Sequence, residues 1–282
     1  MTPLRPRRSV LYLPASNPRA LAKAATLPAD VLILDLEDSV PPEAKDEARR
    51  AAVAAAEGGA LRPREVAIRV NGLATPEAAE DLAAVAASRC DVVVVPKVEG
   101  PEDAARAVAL AGGKPVWVLI ETPRAVLQAA AIAATPGIAG LVAGFADLAK
   151  DLRLKAGRDR TPLFHAMSVI VTAARAAGIL AFDGVFVHLD DPAGLEAETA
   201  QAVAFGFDGK TCIHPTQLET VNRAFSPSPD EVAEARAIVA AFEAARAEGR
   251  GVATHRGRVV EALHVAEAQR VLAVARAIGL SS

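Results

Sequence analysis

Glu121 closes the apolar run Val118-Leu119-Ile120, and Asp147 ends the segment Ala143-Gly144-Phe145-Ala146-Asp147. Each acid sits where a buried stretch gives way to polar loop. If the two runs are parallel neighbouring strands, both carboxylates project from one rim of a sheet, a natural site for a hard divalent cation. Arg69, which falls near the end of Glu65–Val70, offers that rim a guanidinium suited to a carboxylate substrate. A 2-keto acid would fit such a site by chelating a metal through its keto oxygen and carboxylate, with the metal acting as Lewis acid toward oxyanion charge. The five histidines form no HxxxH or HExxH pair. Oxygen ligands without such a pair favour Mg²⁺ or Mn²⁺ over zinc.

Elements that could position these groups alternate along the whole chain. Short β-rich runs occupy Ser9–Pro14, Asp30–Leu36, Glu65–Val70, Asp91–Pro96, Pro115–Ile120, Ile138–Phe145, Gly184–Leu189 and Gly209–His214. Most are continuously apolar, as in Val92-Val93-Val94-Val95, which predicts strands covered on both faces. Alanine-rich helical segments separate them, with starts at Thr75-Pro76-Glu77, Gly100-Pro101-Glu102 and Thr161-Pro162 and a stop at Gly178. Eight strands each followed by a helix predict an α/β chain folded as a (β/α)8 TIM barrel over residues 1–225. Residues 226–282 add extra C-terminal helices, an extension or lid: one from Pro227-Ser228-Pro229-Asp230 to about Glu248, a loop at Gly249–Gly257, and another over Val259–Ile278. No GxGxxG follows the first run, so nothing specific supports a doubly wound sheet. Gly209-Lys210-Thr211 resembles the tail of a P-loop, but Ala204 stands where its first glycine should be and a strand follows in place of a helix.

Collecting the strand ends gathers Asp35, Glu37, Asp38, Arg69, Asn71, Lys97, Glu99, Glu121, Asp147, His188, Asp190 and His214 on one rim. Any one of them alone reads as a solvated loop charge. Together they are hard to ascribe to solvation.

Composition narrows the function classes. A hydrophobic content of 52% over 282 residues supports a large core, while aromatics at 4% argue against base stacking and a net charge of −3 against nucleic acid or anionic membrane partners. Arg5, Arg7 and Arg8 read as a solvated basic tail. Cys90 and Cys212 belong to no CxxC and predict inert thiols in a reducing compartment. No apolar stretch approaches the ~20 residues of a membrane span, and the N-terminus lacks a signal-peptide core. The expectation is a soluble cytoplasmic protein.

The rim residues lie in segments that resemble the citrate lyase beta-subunit and malyl-CoA lyase family. The matching words are Arg8-Ser9-Val10-Leu11 with Pro14, Asp35-Leu36-Glu37-Asp38-Ser39-Val40, Ile68-Arg69-Val70-Asn71, Pro96-Lys97-Val98-Glu99, Ile120-Glu121-Thr122, Gly144 through Asp147-Leu148, and Gly209-Lys210 with Ile213-His214-Pro215. They come in the family's order and cover nearly the whole chain. The resemblance implies a Mg²⁺-dependent carbon–carbon lyase on a TIM barrel that assembles as a homo-oligomer, commonly a trimer. Its substrate would be a 3-hydroxyacyl thioester of citryl-CoA or malyl-CoA type, carried on CoA or an acyl carrier, and cleaved to acetyl thioester and oxaloacetate or glyoxylate, or formed by the reverse condensation.

By the family's pattern Glu121 and Asp147 are the metal ligands, Arg69 binds the keto-acid carboxylate, and Glu37 and Asp38 sit near the metal through water. Gly257-Arg258-Val259-Val260-Glu261 corresponds to a Gly-Lys-Met-x-Asp lid motif whose aspartate is the acid/base. Here the methionine is absent and the acid is one methylene longer, so Glu261 stands as the candidate acid/base beside a reading as a first-turn glutamate favoured by the helix dipole. That change leaves open a malyl-CoA thioesterase, in which water attacks the thioester. Further alternatives are a citrate lyase subunit with carrier and transferase partners, and a non-catalytic keto-acid-binding homologue.

Overall fold

The computed structural model describes residues 5–155, 157 and 159–280. Its strands are β1 (Ser9–Pro14), β2 (Val31–Asp35), β3 (Glu65–Arg69), β4 (Val92–Val95), β5 (Val116–Ile120), β6 (Ile138–Ala143), β7 (Leu180–Asp183) and β8 (Gly209–Cys212). Each pairs in parallel with the next, and β8 returns to β1 through Ser9 opposite Lys210 and Val10 opposite Thr211. Among the described residues these eight strands close into a barrel. The connections carry α1 (Pro18–Ala24), α2 (Lys45–Glu57), α3 (Ala78–Ala87), α4 (Pro101–Leu110), α5 (Pro123–Ala133), α6 (Phe145–Asp151), α7 (Phe164–Ala177) and α8 (Pro192–Phe205), so the fold is the expected (β/α)8 barrel. Proline opens α1, α4, α5 and α8, where its missing N–H costs nothing. Gly178 and Gly206 end α7 and α8 with φ of 70° and 89°, the left-handed stop that glycine adopts without strain.

Alternation along the strands decides what enters the barrel. Val10, Val31 and Ile33, Ala67, Val92 and Val94, Trp117 and Leu119, Val142 and Phe182 form the interior core, with the Trp117 and Phe182 rings 4.5 Å apart. Gly140 makes room for Trp117, since a Cβ there would lie 2.9 Å from the indole. Continuing the same inward phase, Tyr12, Asp35, Arg69 and Glu121 come next above this apolar plug. The polar site is therefore the topmost layer of the barrel interior.

Two strand boundaries and the reading of the N-terminal arginines differ from the sequence expectation. The seventh strand is Leu180–Asp183, not Gly184–Leu189: Gly178 ends α7 early enough for the short run after it to pair with β6 and β8. His188 and Asp190 thus lie in the loop beyond β7, and not at its end. β6 stops at Ala143, and Asp147 sits in the first turn of α6. At the opposite end of the barrel Arg7 pairs with Glu65 and Arg8 with Asp30 at 2.8 Å, so these two arginines tie the strand starts together and are not a solvated tail.

Arg7–Asn222 is one compact unit, and the chain from Arg223 onward belongs to a second. α9 (Leu218–Ala224) leads to α10 (Pro229–Ala247), whose Ser228 cap exchanges hydrogen bonds with Glu231. The predicted loop at Gly249–Gly257 instead contains half of a hairpin, β9 (Ala253–His255) and β10 (Arg258–Val260). Its two-residue turn is Arg256-Gly257 with φ of 47° and 74°, the doubly positive geometry that matches strand twist. α11 (Ala262–Ala277) follows, starting three residues later than expected. Ala245, Ala253, Val260 and Val265 form the core of this unit. No helix among the described residues is long and apolar enough to cross a membrane.

Candidate active site

The mouth of the barrel is organised around Arg69. The residue is 8% exposed, and its guanidinium holds Asp35 in a two-point pair, Nε to Oδ1 at 2.7 Å and Nη2 to Oδ2 at 2.8 Å. The Tyr12 ring lies 4.9 Å from the guanidinium carbon, adding a cation–π contact. Asp35 also accepts from the Glu37 and Ser39 backbone N–H groups and from the Ser39 hydroxyl, so it shapes the loop that carries Glu37 and Asp38. Burial raises the Asp35 carboxyl, but the Arg69 and Ser39 bonds outweigh it and hold the group below the usual carboxylate range.

Arg69 has one edge left. Its Nη1 makes only a long 3.5 Å hydrogen bond to the exposed Asp38, and it lies 2.8 Å from Glu37 Oε2 in an orientation that forms no hydrogen bond. Glu37 is buried and accepts from Lys97 Nζ at 2.7 Å through its other oxygen. Desolvation raises its pKa, opposed by Arg69 and Lys97.

Lys97 adopts φ of 56°, left-handed backbone in a non-glycine residue, the kind of local strain that recurs at functional sites. The turn aims its N–H at Glu121, donating to Oε1 at 2.6 Å. Glu121 is almost fully buried. Loss of solvation, then the charges of Glu37 and Asp147, push its carboxyl up to about 7, with the Lys97 N–H and Arg69 opposing. Gly144 explains how Asp147 comes close: a Cβ there would stand 2.3 Å from Glu121 Cβ, so only glycine lets the start of α6 pass.

The structure thus brings Arg69, Glu37, Asp38, Glu121 and Asp147 together at the barrel mouth. Asn71 and Lys45 support them from behind: Lys45 Nζ bonds the Leu36 and Glu37 carbonyls and Asn71, and Asn71 bonds Asp81. Glu99 pairs only loosely with Arg124, at 3.7 Å. His214 caps the turn after β8 through Thr216, and the neighbouring Gln217 spans from the Phe186 carbonyl to the Ile213 N–H. Glu261 lies in the second unit, exposed at the start of α11, where its N–H donates to His264 Nδ1 at 3.0 Å. Tyr12 was not singled out from sequence, although the inward phase of Val10 on β1 already places it there.

The donor set at the mouth fits a magnesium ion. Buried Glu37 Oε2 has no hydrogen-bond donor and Glu121 is destabilised as an anion, so the layer carries more negative charge than its two cations satisfy. The oxygens are all carboxylate, the hard donors Mg²⁺ takes, and it commonly uses one or two of them with water and substrate completing the octahedron. No group of three or more His, Cys, Asp or Glu among the described residues is arranged to hold a metal ion, so the fit rests on two carboxylates with water and substrate.

A family model described as HpcH/HpaI aldolase/citrate lyase matches residues 8–215, and the chain belongs to that family. It is 44% identical to a (3S)-malyl-CoA thioesterase of Cereibacter sphaeroides over 97% of this chain and 96% of that protein. A citrate lyase subunit beta of Leuconostoc mesenteroides is 35% identical, over 96% and 94%. Among solved structures, protein CitE of Mycobacterium tuberculosis in complex with magnesium, acetoacetate and coenzyme A superposes with a TM-score of 0.79 at 35% identity, covering 96% of this chain and 97% of that one.

Proposed function

We propose, from that membership, that the chain hydrolyses a CoA thioester of a short 3-hydroxy dicarboxylic acid of malyl type with Mg²⁺ as cofactor. The observation that carries this choice is the 44% identity with a malyl-CoA thioesterase over nearly the full chain, against 35% with a citrate lyase subunit. Glu121 and Asp147 would hold the ion, which when bound supplies Lewis-acid polarisation of a substrate oxygen. Glu37 and Asp38 stand behind them as acceptors for ordered water.

The protein's own groups account for the rest. Arg69 Nη1 is the donor edge available to the terminal carboxylate of the substrate, while Asp35 fixes the plane of the guanidinium. The Lys97 N–H orients the Glu121 carboxylate. Tyr12 and the apolar layer below seal the floor against bulk water. In hydrolysis, water adds at the thioester carbonyl carbon, the C–S bond breaks, and the products are the free hydroxy diacid and CoA thiol. No carbon–carbon bond breaks, so no enolate needs a proton. A substrate carried on CoA is an intracellular metabolite, which favours a cytoplasmic setting, and a trimeric assembly stays part of the proposal by family resemblance.

A second reading is the carbon–carbon lyase, favoured by the ligands of the Mycobacterium tuberculosis structure, since magnesium, a keto acid and CoA are the classes of group that such cleavage handles. Mass spectrometry after incubation with malyl-CoA or citryl-CoA, with and without Mg²⁺, separates the two. Metal-dependent free CoA and malate is the expected outcome. Acetyl-CoA with glyoxylate or oxaloacetate would replace the thioesterase by a lyase, and no product from either substrate would refute both.

A further inference from the structure

A second buried charge network lies in the barrel wall. Asp183, at the end of β7, is fully buried and pairs with Arg160 through Nη2 at 2.6 Å and Nη1 at 3.1 Å, and with Lys210 Nζ at 2.7 Å. Glu198 of α8 bridges the same two cations, 3.0 Å from Arg160 and 2.7 Å from Lys210. Strand alternation puts Asp183 and Lys210 opposite one another on the outward face, because Phe182 points in. The network therefore touches none of the mouth carboxylates.

It does touch the segment that carries one of them. The Arg160 guanidinium stacks on the Phe145 ring at 5.2 Å. Gly184 also lies against that ring, where an added Cβ would stand 2.9 Å from both Phe145 and the Ala143 carbonyl oxygen. Gly184 is itself fixed, its carbonyl accepting from Lys210 Nζ at 2.6 Å. Phe145 is the first residue of α6, and Asp147 is two residues on. The segment is thus held at two residues: Gly144 abuts Glu121, and Phe145 is clamped by its contacts with Arg160 and Gly184.

We propose that Arg160 is a positioning residue for the metal site, acting through Phe145 to hold Asp147 at the spacing from Glu121 that one divalent cation requires. This rests on the assignment of Glu121 and Asp147 as ligands. Outer partners of metal ligands matter because an ion demanding near-octahedral geometry gains little from a misplaced carboxylate.

The test measures Mn²⁺ binding to the metal-free protein by electron paramagnetic resonance, a reading independent of turnover. Phe145→Leu keeps the apolar volume but removes the stacked ring, and should weaken binding by roughly 10- to 100-fold. Phe145→Tyr retains the ring and should bind within about threefold of the wild type, as expected where the cation–π contact is preserved. Arg160→Lys should fall between them, since an ammonium keeps the charge but loses the fork and the stack. A Val85→Ala variant in the α3 core controls for stability, because it lowers the melting temperature without touching the clamp. Leucine and tyrosine variants that bind alike, or weakening in Val85→Ala comparable to that in Phe145→Leu, would overturn the proposal. Wild-type protein that binds no Mn²⁺ would instead refute the ligand assignment beneath it.

Discussion

Two buried arginine–aspartate networks sit within one barrel and are built to opposite ends. In the wall, Arg160 and Lys210 face Asp183 and Glu198, two charges of each sign, and every close contact is a short pair. Asp183 is held below the usual carboxylate range: burial raises it, but Lys210 and Arg160 prevail. At the mouth, Arg69 and Lys97 face Asp35, Glu37, Glu121 and Asp147. There the acids are in excess, and Glu121 is pushed up to about 7. Both networks pay the same kind of desolvation, but the wall pairs each of its charges within the protein, although Arg160 Nε is left without a hydrogen bond. Charge balance separates the two burials: the balanced network fastens elements, and the unbalanced one carries the excess negative charge that the proposed Mg²⁺ would meet.

The largest expected effect tests the unbalanced side. Asp147→Ala should lower Mg²⁺-dependent turnover by at least about 10³-fold, because the ion loses one of two carboxylates. The same change removes one of the repelling anions beside Glu121, so the melting temperature of the metal-free variant should match or exceed that of the wild type. Retained turnover would remove Asp147 from the site, and a large drop in metal-free stability would make it a structural residue like those in the wall.

The balanced side should respond the other way. Lys210→Met strips a fully buried cation from its pair with fully buried Asp183 and should cost about 3–5 kcal/mol in urea unfolding, the penalty of leaving a buried charge short of its partner. A loss below about 1 kcal/mol, ordinary for a surface substitution, would erase the distinction between the two networks.

The mouth was legible in the sequence and the wall was not, for a physical reason. Glu121 and Arg69 stand at or beside the ends of continuous apolar runs, and barrel geometry sends all such ends to one rim. Val92–Val95 and Val116–Ile120 were readable because strands covered on both faces need no alternation. Arg160, Asp183, Glu198 and Lys210 come from four separate segments, and only the tertiary fold brings them together. Asp183 was also hidden by the seventh strand. Two short apolar runs, Ile179–Phe182 and Val185–Val187, flank Asp183-Gly184, so the sequence offered either as a strand, and the sheet register chose the first. The Arg256-Gly257 hairpin escaped because its strands are three residues each, too short for alternation to show.

A smaller effect sharpens the contrast through pH. The folded-state pKa of Glu121, about 7, lies above its unfolded value of 4.5, so in the metal-free protein the folded state binds the extra proton. Its contribution to stability is fully present below about 4.5 and is lost as pH rises through 7. The difference in melting temperature between wild type and Glu121→Gln, taken without metal, isolates this group from all other titrations. Wild-type stability should fall relative to the variant across that window and level off above it. A difference that stays flat would mean the mouth carboxylates are balanced after all.

The smallest expected effect concerns Glu261, outside both networks. In a lyase a general acid must deliver a proton to the enolate carbon, and losing such a group costs roughly 10²- to 10⁴-fold. Hydrolysis leaves no carbanion, and the Glu261 carboxylate is exposed at the N-cap of α11, where the helix dipole alone is enough to favour an acid. Glu261→Gln keeps the length and the helix start while removing the titratable proton. Free CoA release from malyl-CoA should therefore fall by less than about tenfold, below the range that a general acid commands. A loss of 10²-fold or more, with Mg²⁺ affinity unchanged, would make Glu261 the proton carrier. The excess charge at the mouth would then serve carbon–carbon cleavage in place of hydrolysis.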